Sequence, residues 1–137
     1  MRIYLAGPLF TEEDKKINEY YAAQLRAMGN KVYLPQEYKI PDAEEMPNRN
    51  WAIQVNAHDI KMLETCDAVY AIVRDGKASD DGTAFEIGYA TALGKRVFLY
   101  VDERKPISLM FLTKNIYICK CADEFDEILG KNELYYT

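Results

Sequence analysis

Apolar positions along this chain come in short blocks, and their spacing switches between continuous runs and a period near 3.6. Arg2–Ala6 (RIYLA) is a compact apolar run stopped by Gly7-Pro8, which predicts a strand. From Thr11 to Met28 the apolar residues Ile17, Tyr21, Ala22, Leu25 and Met28 recur among charges at helical spacing. Thr11 with Asp14 gives this helix a start resembling a capping box, and Gly29-Asn30 closes it. Lys31–Pro35 (KVYLP) reads as a second strand. Glu37–Asn50 is polar, contains Pro41 and Pro47 and has no clear period, so it reads as a surface loop, of a length that is often functional. Trp51–Cys66 predicts a helix with Val55, Ile60 and Leu63 inward, and Asp67–Val73 (DAVYAIV) is the clearest buried strand. A loop at Arg74–Ser79 leads to a helix from Gly82 or Thr83 to Leu93, then a strand at Arg96–Val101. A short helix at Ile107–Thr113, a strand at Ile116–Cys119 and a helix at Asp123–Leu129 finish the chain.

Strict alternation of strand and helix with short connections predicts an α/β fold, a parallel sheet covered on both faces. Right-handed crossovers leave few topologies, and five strands suit a flavodoxin-like three-layer α/β/α domain of strand order 2-1-3-4-5 spanning residues 1–137. Ligands in such sheets bind beyond the carboxyl ends of the strands where the order reverses, here between strands 1 and 3. That puts Tyr4–Phe10 and Asp80–Glu86 on the two walls of one crevice, with Gly7, Phe10 and Gly82 as candidate substrate contacts.

Composition narrows the partners. With 49% hydrophobic and 28% charged residues the 137-residue chain has an ordinary globular profile. Its net charge is −5 and no Lys/Arg cluster stands out, which argues against nucleic acid. The opening MRIYLAG is too short for a signal peptide or membrane span, and three cysteines, an odd number, fit a reducing cytoplasm. Cys119 and Cys121 form a C-x-C with no second pair, and His58 is the single histidine, so these residues read as packing and no metal site is expected. No G-x-G-x-x-G or G-x-x-x-x-G-K-[ST] follows a strand, and the Gly7-Pro8-Leu9-Phe10 turn lacks the Ser/Thr-rich phosphate binder that a flavin would need. No cofactor is expected.

Glu86 carries the chemical question. It stands in DDGTAFEIGYA between Phe85 and Ile87, and a buried unpaired carboxylate is costly. Thr83 followed by Glu86 matches S/T-x-x-E, so Glu86 could simply cap its own helix. Against that, Asp80 and Asp81 crowd the same helix start, and capping needs only one or two carboxylates. Asp80 can approach Glu86 to roughly the 5 Å typical of retaining glycosidases. Tyr4, on the neighbouring strand, can offer Glu86 a hydroxyl. A carboxylate pair, a phenol and a crevice suit glycosyl transfer.

IYLAGPLF, NAHDIKMLETCDAVYAIV, DDGTAFEIGYATALGKRVFLY and KPISLM, in this order, resemble the nucleoside 2-deoxyribosyltransferase family from Arg2 to about Met110. The resemblance implies that Glu86 is the nucleophile attacking C1′ of the deoxyribose, that Tyr4 orients it and that Asp80 faces the nucleobase. It also implies that Asp59 lies near the sugar, and that Ser108 and Met110 reach into a neighbouring subunit's site in a dimer-based homo-oligomer, often a hexamer. Nucleosides and free nucleobases are then the partners. Ser108 stands where the transferases often have Asn, and Ser there is similar to the related 5′-monophosphate hydrolases. Those tend to carry Ser at the position of Asp80 as well, so the aspartate here favours uncharged nucleosides. The chain ends Leu134-Tyr135-Tyr136-Thr137, one residue beyond the terminal tyrosine of some transferases, and that tyrosine's role is not carried over. Two other readings stay open: a hydrolase of 2′-deoxynucleosides or their 5′-monophosphates, and a non-catalytic ligand-binding module.

Overall fold

The structure, a computed structural model, describes residues 1–74 and 80–131. The predicted loop at 74–79 and the C-terminal 134–137 therefore fall largely or wholly outside the described residues. Strands β1 (Arg2–Ala6), β2 (Lys31–Tyr33), β3 (Ala68–Val73), β4 (Arg96–Val101) and β5 (Ile116–Lys120) form one parallel sheet. Their order is β2-β1-β3-β4-β5, the doubly wound arrangement that the alternation predicts.

Helices α1 (Glu12–Ala27) and α4 (Ala122–Ile128) cover one face, α2 (Asn48–Thr65) and α3 (Asp81–Ala92) the other. Side-chain alternation along β1 divides the core between them. Ile3 and Leu5 pack with Ile17, Tyr21, Leu25 and Phe125, while Tyr4 and Ala6 join Leu63, Ile87 and Ala90. Tyr4 therefore faces the same side as α3, and in the parallel register it stands beside Tyr33 of β2.

The Thr11 capping box is complete, with Thr11 accepting from the Asp14 N–H at 3.0 Å and Asp14 accepting from the Thr11 N–H at 3.1 Å. Helices α1 and α3 end at Gly29 and Gly94, both with positive φ, which a side chain would resist. The Glu37–Asn50 segment is more structured than predicted. Single 3₁₀ turns occupy Pro35–Glu37 and Ala43–Glu45, and α2 begins at Asn48 rather than Trp51. Pro47 sits at the N-cap, where it breaks no intrahelical bond. The predicted helix at Ile107–Thr113 is one 3₁₀ turn, Leu109–Phe111. On α2 only Leu63 is fully buried, with Val55 and Ile60 half-buried. No helix among the described residues is long and apolar enough to cross a membrane.

Candidate active site

At the carboxyl ends of β1 and β3 the sheet opens into a cavity of about 350 Å³. Gly7, Phe10, Asp59, Asp80, Gly82 and Glu86 all line it, and Tyr4 lies in the buried sheet beneath, hydrogen-bonded to Glu86. The cavity is also lined by Leu9 and Phe85, which lie within the two expected walls, by Ile60 and Leu63, read as inward on α2, and by Pro35 and Asn56, which the sequence reading did not place at the site. Asn56 was within reach, because it lies one helical turn before Asp59 and so shares its face of α2. Ser108 and Met110 do not line this cavity. Ser108 caps the Leu109–Phe111 turn, whose Leu109 and Met110 are exposed and whose Phe111 is buried, its Oγ accepting from the Met110 N–H at 3.2 Å.

The capping question has a definite answer. Helix α3 starts at Asp81, and Asp80 is its N-cap: Oδ2 accepts from the Thr83 N–H at 3.0 Å and from the Thr83 hydroxyl at 2.9 Å. The predicted Thr83–Glu86 capping box does not form. Thr83 is buried inside the first turn, and Glu86 lies in the second, past the amides that need a cap. Glu86 instead accepts a hydrogen bond on Oε2 from the Tyr4 hydroxyl.

Burial above all pushes the Glu86 carboxyl up to about 8, the Asp59 and Asp80 charges add to the rise, and the Tyr4 hydroxyl pulls against it. Burial, then the Glu86 charge, raises Tyr4 far above the ordinary phenol range, so it stays a neutral donor. Asp59 is also raised, by burial, while the Tyr33 hydroxyl and the His58 charge hold it down.

The Glu86 rise fixes a pH dependence. Its folded-state value lies above its unfolded one, so the folded chain holds that proton more tightly. The resulting stability is full below about 4.5 and is lost as pH rises through about 8. Each unit of displacement is worth about 1.4 kcal/mol, less where water enters the cavity. Glu86→Gln, which never ionises, should therefore gain several degrees in Tm over wild type at pH 9 and much less at pH 5, by scanning calorimetry. Equal gains at both pH values would mean that Glu86 titrates as an ordinary surface carboxyl.

The Gly7 turn is held from below by a residue without an obvious sequence signal. Asn18 of α1, 1% exposed, donates from Nδ2 to the Pro8 carbonyl at 2.9 Å and to Gln36 Oε1 at 3.1 Å. It thereby joins the turns that bring Gly7, Leu9, Phe10 and Pro35 to the cavity. A Cβ on Gly7 would come within 2.5 Å of Asn18 Oδ1, so the glycine is required by close approach. His58 packs against aromatic rings, as read, and also makes a polar contact that the reading did not include. It is half-buried, lies 2.9 Å through Nδ1 from the Tyr33 hydroxyl, and stacks on Tyr38 at 3.7 Å.

The family described as nucleoside 2-deoxyribosyltransferase matches residues 3–129. No curated protein sequence matches the chain. Among solved structures, a 2-deoxyribosyltransferase from the psychrotolerant bacterium Bacillus psychrosaccharolyticus is 30% identical, over 90% of this chain and 89% of that one, with a TM-score of 0.78. A conserved protein from Enterococcus faecalis is 25% identical over 96% and 98%, with a TM-score of 0.65. A CMP N-glycosidase from Clostridium botulinum, 19% identical over 96% and 99% with a TM-score of 0.64, shares the fold.

Proposed function

The chain belongs to the nucleoside 2-deoxyribosyltransferase family, and from that premise we propose that it moves 2-deoxyribose between nucleobases through a covalent ester on Glu86. The observation that carries the reading is the Glu86 carboxyl, held by a buried phenol in an open cavity where Asp80 already does the capping. A helix-capping role for Glu86, and with it the non-catalytic reading, loses its support.

The steps follow from the groups present. Breaking the N-glycosidic bond leaves positive charge on the sugar and negative charge on the base. Glu86 Oε attacks C1′, the bond to the base breaks, and the base gains a proton. With its carboxyl pushed up to about 8, Glu86 holds that proton at neutral pH before substrate enters. The half-reaction is then balanced without solvent: carboxylic acid plus nucleoside gives ester plus free base, the proton passing to the base through Asp80. A second base reverses the steps, and two inversions give retention. Phe10 and Phe85 at the cavity suit the faces of a base. Asp59 suits a sugar hydroxyl.

Removing the Tyr4 hydroxyl tests the support of Glu86. Tyr4→Phe keeps the buried ring, so kcat should fall about fivefold, near the net worth of one hydrogen bond, with Tm nearly unchanged. An unchanged kcat would reduce Tyr4 to packing.

The site is completed, in this proposal, by a second copy that brings Ser108 and Met110. Leu109 and Met110 are 76% and 74% exposed, and Phe10 is 79% exposed, large apolar surfaces for a chain to leave in water. Light scattering should give a dimer or a multiple of it.

Incubation with 2′-deoxyinosine, with and without adenine, tests the reaction. Deoxyadenosine formed only when adenine is present establishes transfer. Hypoxanthine released at the same rate either way establishes hydrolysis.

A further inference from the structure

We infer that Tyr33 is a positioning residue of this site: its hydroxyl, oriented by His58, fixes the Asp59 carboxylate that faces the cavity. This rests on the proposal that Asp59 meets the sugar. Tyr33 ends the three-residue strand β2 at the edge of the sheet, and its hydroxyl lies 2.7 Å from Asp59 Oδ1 and 2.9 Å from His58 Nδ1. A phenol has one proton to give, and a carboxylate can only accept. The proton therefore goes to Asp59, and His58 must donate from Nδ1 to the Tyr33 oxygen. That puts a proton on Nδ1 and leaves Nε2 outside the chain of bonds.

His58 is itself held, by parallel stacking on Tyr38 with an interplanar angle of 1°. The order of command thus runs from the loop after β2, through the imidazole and the phenol, to a carboxylate of the cavity. Tyr33 engages one Asp59 oxygen, and Asp59 lines the cavity, which leaves its second oxygen for a ligand. Tyr4 and Tyr33 are register partners with rings 5.3 Å apart, and each phenol serves one carboxylate, Tyr4 for Glu86 and Tyr33 for Asp59. The groups around Asp59 are Tyr33 from β2, Tyr4 from β1, His58 on its own helix, and Glu86 and Asp80 across the cavity from α3. Of these, Tyr33 is the direct donor to Asp59, and losing it leaves a half-buried carboxylate without its hydroxyl partner.

The test uses the full-length chain and two readouts. Carboxyl ¹³C NMR of the ligand-free protein follows the titration of Asp59, with Asp59→Asn identifying its signal. Tyr33→Phe keeps the ring against Tyr4 and His58, and should move the Asp59 midpoint upward. Binding of 2′-deoxyinosine to the Glu86→Ala background, read by calorimetry, should weaken about tenfold on adding Tyr33→Phe. His58→Ala should weaken it about threefold, and His58→Asn, which retains an N–H donor near the Nδ1 position, should restore most of the loss. An unmoved Asp59 midpoint overturns the inference, and so does a moved midpoint with unchanged affinity. The NMR arm needs neither substrate nor turnover. A failed transferase assay beside a moved midpoint and weakened binding would overturn the reaction and leave the positioning role standing.

Discussion

Glu86→Ala is expected to abolish base exchange, by at least about 10⁴-fold in kcat/KM, while the chain remains folded. The size follows from chemistry, because removing the nucleophile closes the covalent route altogether instead of weakening one contact. Two features let the fold survive, against one modest cost. Asp80, and not Glu86, caps α3. Truncation leaves the Tyr4 hydroxyl without its carboxylate partner, at a cost of about 1–3 kcal/mol. It also removes a buried carboxyl whose ionisation is disfavoured, which offsets part of that cost above pH 7. The measurement is chromatographic separation of exchanged nucleosides, with circular dichroism for the fold. Near-normal exchange with a much lower Tm would sink the catalytic role and restore a structural one.

The second large effect concerns charge on the substrate. Beside the Glu86 carboxyl, which holds its proton at neutral pH, the cavity carries the Asp80 and Asp59 carboxylates, and among its described lining residues there is no lysine or arginine. At an effective dielectric near 20, two unit charges 4 Å apart repel by about 4 kcal/mol, and a phosphate near pH 7 carries more than one. Ser108 offers a hydroxyl worth about 0.5–1.5 kcal/mol at best, and on its own chain that residue caps a turn outside the cavity. Repulsion wins by these magnitudes. 2′-Deoxyinosine should be used at least tenfold better in kcat/KM than its 5′-monophosphate at matched salt, and the gap should narrow as salt rises. Equal or better use of the monophosphate would turn the assignment toward a nucleotide hydrolase.

Much of this was legible in the chain itself. The central strands β1, β3 and β4 are apolar runs because a parallel sheet is covered on both faces there, and the alternation within β1 puts Tyr4 on the side of α3. The switch point then brings the Gly7 turn and the start of α3 together without further information. The cap was not legible. Asp80 and Thr83 are both good N-caps, and choosing between them moves the helix start by three residues and decides whether Glu86 serves the backbone or the cavity. Tyr33 and His58 were also hidden. Tyr33 sits in a three-residue edge strand, and its contacts with residues 25 and 26 positions away leave no local pattern. Asn18 falls on the buried face of α1 beside Ile17, Tyr21, Ala22 and Leu25, but nothing local in the chain names the two turns that its amide joins.

The pairing of Tyr4 with Tyr33 has a consequence for redesign. Neighbouring strands lie about 4.8 Å apart, a spacing that backbone hydrogen bonding holds almost constant. Because each carboxylate is tethered to a phenol on its own strand, the sheet acts as a ruler between the two acids. Helices α2 and α3 can be repacked to widen the cavity for bulkier bases while the separation of the charges changes little. A change of register between β1 and β2 would do the opposite, leaving the cavity walls in place and breaking the matched spacing. Breadth of substrate and geometry of chemistry are thus set by different layers of the fold, and can be varied one at a time.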